Sequence, residues 1–91
     1  MRSRFSAFAI GDAEYLLATW HPSTRPTSLE LDADTRWYRL DILDRVAGGP
    51  LDSAGVVEFE AFYRGKERGS QRERSSFVRE QGRWLYVSGL G

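Results

Sequence analysis

The sequence predicts an α+β fold in which two N-terminal helices pack on a curved antiparallel sheet of about four strands. Three observations predict it. Apolar residues recur at helical spacing through the first part of the chain, and from about residue 36 they alternate at period two. Turn signals then cut this second part into separate strands. Helices first and strands after is the order of a helical layer set on one face of an antiparallel sheet.

Each element follows from local chemistry. Phe5, Phe8 and Ala9 stand at i, i+3, i+4, which predicts a short amphipathic helix over residues 2–10, ended by Gly11. Asp12 reads as an N-cap, with Glu14 placed where the helix dipole favours an acid. Ala13, Leu16, Leu17 and Trp20 make one apolar stripe on a second helix, and Pro22 stops it because the residue before a proline is pushed out of the α region. The polar stretch from His21 to Asp34, with Pro22 and Pro26, is long for a connection without structure, and such loops are often functional.

From Trp37 the alternation predicts a half-buried strand, with Tyr38, Leu40, Ile42 and Val46 set against Arg39, Asp41 and Arg45. Gly48-Gly49-Pro50 breaks it. Val57, Phe59, Ala61 and Tyr63 alternate with Glu58, Glu60 and Phe62 in a second strand. A hydrophilic tip from Gly65 to Ser70 leads into a third, over Gln71–Glu80. Gln81-Gly82 is a two-residue turn signal, and Arg83–Val87 is the last strand. With no repeat and no interior linker, residues 1–91 read as one domain.

Composition narrows the classes of function. Apolar residues make up 41% of the chain, and three Trp, four Tyr and five Phe suffice to fill a core. There is no cysteine, which excludes disulfides, thiolate metal sites and cysteine nucleophiles within the chain. With no apolar run long enough for a membrane span or a signal peptide, a soluble cytoplasmic protein is the expectation. Net charge is zero, but acids dominate residues 30–60 and arginines residues 64–83. No membrane is expected as partner. Adjacent strands carrying those two segments would offset one another, so a nucleic acid is not the first expectation, with contact of the Arg-rich strands to RNA as the third alternative. Phe62, the one large apolar residue on the charged face of its strand, leaves room for a homodimer through the outer sheet face.

Several stretches carry a family resemblance. These are Met1–Phe8, then Gly11–Pro26 with its Trp20-His21-Pro22-Ser23-Thr24-Arg25-Pro26, then Trp37, and finally Glu73–Glu80 with Gly82–Val87. Together they resemble the YchJ-like family of uncharacterised bacterial proteins over nearly the whole chain. The resemblance implies the middle domain of that family, a nuclear transport factor 2-like (cystatin-like) cone of sheet wrapped around helices. Relatives usually flank it with cysteine-rich, zinc-binding SEC-C motifs. This chain has no cysteine, so no SEC-C segment is present in it and the zinc does not carry over.

No residue pattern points to a catalytic group, a metal or a cofactor. His21 is the only histidine, and it reads first as a helix-end cap. Arg25 is expected to pair with Glu73 at the open end of the cone, near His21. The expected pocket or binding residues are Tyr15, Trp20, His21, Arg25, Trp37, Glu73 and Tyr86. The function they suggest is a binding or protein-interaction module with a small ligand or peptide inside the cone. The alternative is a small hydrolase or isomerase using a polar group there, for which His21, Arg25 and Glu73 would have to converge.

Overall fold

The structure is a computed structural model and describes residues 1–90. Two helices, α1 (Arg2–Ile10) and α2 (Ala13–Ala18), precede four strands, β1 (Arg36–Ala47), β2 (Ala54–Arg64), β3 (Arg68–Glu80) and β4 (Arg83–Gly89). The strands form one antiparallel sheet in the order β1-β2-β3-β4, open at both edges. The expected α+β architecture is present, helices before strands. Among the described residues no helix is long and apolar enough to cross a membrane.

The helix ends obey their capping chemistry. Gly11 closes α1 in the left-handed conformation at φ 75°, which costs a residue without a Cβ nothing. Asp12 caps α2, its carboxylate accepting from the Tyr15 N–H at 3.1 Å. The second helix is shorter than its apolar stripe suggests. It stops at Ala18, and Trp20 lies beyond it in an isolated bridge to Tyr86. The Thr19 carbonyl accepts from the Tyr86 N–H (2.8 Å) and the His21 N–H reaches the Tyr86 carbonyl (2.7 Å). Pairing with β4 therefore takes the backbone of residues 19–21 away from the helix, three residues ahead of Pro22.

In α1 the buried positions are Arg4 and Ala7, while Ala9 faces solvent. Phe5 and Phe8 are half-buried on the sheet side. The helix is thus turned from its expected setting, and a charged residue occupies the centre of its inner face.

Sheet register decides which residues meet the helices. On β2 the alternation holds throughout, with Val57, Phe59, Ala61 and Tyr63 on the inner face. On β1 it does not. Register shifts between Trp37 and Arg39, and again between Ile42 and Asp44, leave Tyr38 and Leu43 as extra residues. Each such bulge reverses the side on which later residues point. Tyr38 (52% exposed) and Val46 (49%) therefore stand outside, and Arg45, opposite Val57, falls on the inner face while staying exposed. A third shift, between Ser76 and Phe77 against β4, adds to the bending of the sheet. The tight turn between β3 and β4 has Gln81 at φ 53° and Gly82 at φ 77°, the signature of a two-residue hairpin of the mirror-image type.

Candidate functional site

A cavity of about 120 Å³ lies between α1 and the inner face of the sheet and opens to solvent. Helix α1 supplies Arg4, Phe5 and Phe8, Trp20 stands on the bridge to β4, and Trp37, Phe59 and Ala61 come from β1 and β2. Gln71, Glu73 and Ser75 reach it from β3, and Tyr86 from β4. The spacing on β3 is the period-two rule at work, since residues two apart share a face.

The walls are aromatic and interlocked. Phe8 meets Trp37 at 6.3 Å between ring centroids, and Trp37 meets Tyr63 at 5.1 Å. On the other side Trp20 stands edge-on to Tyr86 at 4.9 Å, and Phe77 packs against the same Tyr86 ring at 5.8 Å. These are the separations at which ring quadrupoles attract.

Polar groups are few and gathered. Arg4 is 5% exposed, and its Nη1 donates to the Leu16 carbonyl (2.9 Å) and to Thr19 Oγ1 (2.7 Å). Its guanidinium lies 4.7 Å from the centre of the Tyr86 ring and 5.5 Å from that of Trp20. Burial lowers its pKa below the ordinary arginine value, against the raising influence of Tyr86, Tyr15 and Glu73. Glu73 accepts from the Tyr86 hydroxyl at 3.3 Å. Burial, with the Glu73 charge and that hydrogen bond behind it, raises the Tyr86 phenol, and Arg4 pulls the other way. Ser75 is 1% exposed, and its Oγ has no hydrogen-bond partner among the described residues. Gly89 stands opposite Ser75 across the β3–β4 ladder, and a Cβ there would have to displace the Glu73 carboxylate.

The structure gathers some of the expected site residues and separates others. Trp20, Trp37, Glu73 and Tyr86 line the cavity together. Tyr15 is 37% exposed on α2 and is not among the lining residues. The expected pairing of Arg25 with Glu73 does not form. Arg25 is exposed and its Nε donates to the Trp20 carbonyl at 3.0 Å. The bridge to β4 brings that carbonyl within the reach of Arg25, while Glu73 already holds the Tyr86 hydroxyl on the inner face. His21 turns to a different carboxylate, with Nε2 2.8 Å from Glu80 and Nδ1 accepting from the Ser23 N–H at 3.1 Å. His21, Arg25 and Glu73 thus serve three separate hydrogen-bonded groups and do not converge. Thr24 fastens the same loop, accepting from Trp20 Nε1 and donating to the Val87 carbonyl at 2.6 Å.

The sequence reading did not count Arg4 among the site residues, and it took Ser75 only as a neighbour of Glu73 on its strand face. A signal for Arg4 was available: it precedes Ala7 and Phe8 by three and four residues, the spacing of one helix face. No group of three or more His, Asp or Glu is placed to hold a metal ion among the described residues.

A helical layer over an open, bulged antiparallel sheet, with an aromatic cavity between them, is the architecture of a nuclear transport factor 2-like α+β domain. Residues 1–89 match the family model described as the YchJ middle NTF2-like domain, and the chain belongs to that family. Among bacterial relatives, a UPF0225 protein of Corynebacterium glutamicum is 54% identical over 89 residues, covering 98% of this chain and 71% of the relative. One from Streptomyces coelicolor is 53% identical over 89 residues, with 98% and 69% covered. The solution structure of a SEC-C motif containing protein from Rhodopseudomonas palustris superposes with a TM-score of 0.80 at 32% identity, covering 98% of this chain and 73% of that one.

Proposed function

We propose that this domain binds a small, mostly apolar molecule in the cavity between α1 and the sheet, with the polar end of that molecule at Arg4, Glu73 and Ser75. The observation that carries the reading is the Ser75 hydroxyl, buried and without a hydrogen-bond partner among the described residues, on a residue that lines this largely aromatic cavity. A buried polar group without a partner costs about 1–3 kcal/mol, so a ligand oxygen or nitrogen that satisfies Ser75 gains that much by docking there. Glu73 adds an acceptor. Arg4 adds a cation whose attraction is strengthened by burial.

Size sets the class of guest. A dry apolar cavity of about 150 Å³ holds one benzene, and this one measures about 120 Å³, so the guest is a single ring or a short branched chain carrying one polar group. Phenols, small aromatic amides and short branched carboxylic acids fit that description. Trp20 and Trp37 stand in the wall, so intrinsic fluorescence reports occupancy. Titration with phenol, benzamide and isovalerate should change the emission saturably and shift the amide resonances of Ser75 and Tyr86. Ser75→Val should weaken binding of the polar members of the set more than that of toluene. Flat titrations for the whole set, with the folded spectrum intact, would sink the reading.

A further inference from the structure

We propose that the outer face of the sheet, at the end where β1, β2 and β3 meet the tip loop, is a docking surface for single-stranded nucleic acid. Sheet register creates the feature. Arg36 on β1 stands opposite Arg64 on β2, and Arg64 stands opposite Arg68 on β3. Three guanidinium-bearing residues thus form a row across three neighbouring strands. All three are exposed, and none takes part in an ion pair among the described residues. Like charges directly opposite one another weaken a sheet. The row is therefore held at a cost to stability that a polyanion would offset.

Beside the row lie two aromatic rings. Phe62, two residues before Arg64, shares its face, and the bulge that displaces Tyr38 brings that ring to within 6.5 Å of Phe62. Arg64 covers Tyr38 at 5.4 Å, and Arg39 covers Phe62 at 5.2 Å. Flat rings and flat guanidiniums alternate on one patch, with Tyr38 exposed and Phe62 half-buried beside it. Stacking platforms joined to a cationic row are the recognition chemistry of unpaired bases on a phosphate backbone. An acidic peptide could use the arginines but has no bases to lay on the rings. Neutral overall charge does not argue against the row, because the carboxylates on this face of β1 and β2 lie farther along the strands than the three arginines and hold partners of their own, Asp41 on the patch's Arg39. Glu58 holds Arg72 and Arg74, and Glu60 accepts from Ser70. This surface is on the opposite side of the sheet from the cavity and does not depend on it.

The test is fluorescence anisotropy of labelled oligo(dT) and oligo(U) with the whole chain at low salt. Saturable binding is expected, with a log–log salt slope of about −2, since each neutralised phosphate of a single strand contributes about 0.7. Tyr38→Ala should weaken binding about tenfold without disturbing the fold, because that ring is already half in water. Arg36→Gln/Arg64→Gln/Arg68→Gln should abolish binding while leaving the thermal midpoint unchanged or higher. Should that variant unfold, Arg68→Gln alone, with its smaller salt slope, reads the same contact. Absence of binding at low salt would overturn the proposal. So would binding that ignores Tyr38→Ala and is competed equally by polyglutamate, which would make the patch a general anion surface.

Discussion

At Arg4 a positive charge is held inside the domain by two oxygen acceptors and two ring faces. Hydrogen bonds to a charged group contribute about 1.5–3 kcal/mol, so Arg4→Met should destabilise the domain by about 2 kcal/mol. That corresponds to a fall of about 10 °C in Tm for a chain of this size. Arg4→Lys should not rescue it, because an ammonium cannot lie flat between Tyr86 and Trp20 while reaching both oxygens. Thermal melts of the two variants decide the point. Tyr86 gives a pH dependence of known sign. Its phenol is raised above the ordinary value of 10.0, so the fold favours the neutral form. The contribution is complete below pH 10 and is lost as pH rises through the raised value. Urea midpoints measured from neutral to alkaline pH should fall more steeply for the native chain than for Tyr86→Phe.

Single elements carry their own tests. In the β3–β4 hairpin, Gln81 and Gly82 both lie at positive φ, where an Asn-Gly pair is the preferred chemistry. Gly82→Ala should cost about 1–2 kcal/mol, because a Cβ there meets the carbonyl. Gln81→Asn should raise the Tm slightly. Trp20 stands off the end of α2 and is half-buried. Its loss should therefore cost less than the roughly 3–5 kcal/mol of a large aromatic taken from a closed core. Phe59, 6% exposed in the middle of β2, should show that full cost when changed to Ala. Denaturant midpoints for the two alanine variants rank the positions.

For the whole molecule, segregated charge becomes a cross-strand network. Glu58 on β2 binds Arg72 and Arg74 on β3, and Arg74 also approaches Asp44 on β1 at 3.7 Å. The hydrogen bonds from Arg72 and then Arg74 hold the Glu58 carboxyl below its usual range. Its contribution is present above the ordinary carboxylate pKa and is lost as pH falls through the lowered value. Glu58→Gln should accordingly flatten the acid limb of the stability curve and leave the alkaline limb alone. Small domains have little surplus stability, so both limbs should be measurable in moderate urea.

Much of this was legible along the chain. Periodicity set the element order, Gly11 marked the end of α1 and Asp12 the start of α2, and β2 read correctly residue by residue because nothing interrupts its alternation. Glu73 could be placed beside Ser75 and Phe77 on one strand face for the same reason. What the chain could not show depends on residues far apart in it. The bulges at Tyr38 and Leu43 reverse the faces of β1, and nothing local marks them, since a bulge is a mismatch of length between two strands. The end of α2 is decided by Tyr86, far along the sequence, which pairs with residues 19–21 before the proline acts. Arg25 and His21 found partners other than those expected because that bridge set the course of their loop. By itself the sequence determined the fold class, the order of elements along the chain and the family. Only the tertiary structure decided which polar groups face the cavity and which arginines stand in a row, because both follow from register, and register is a relation between strands.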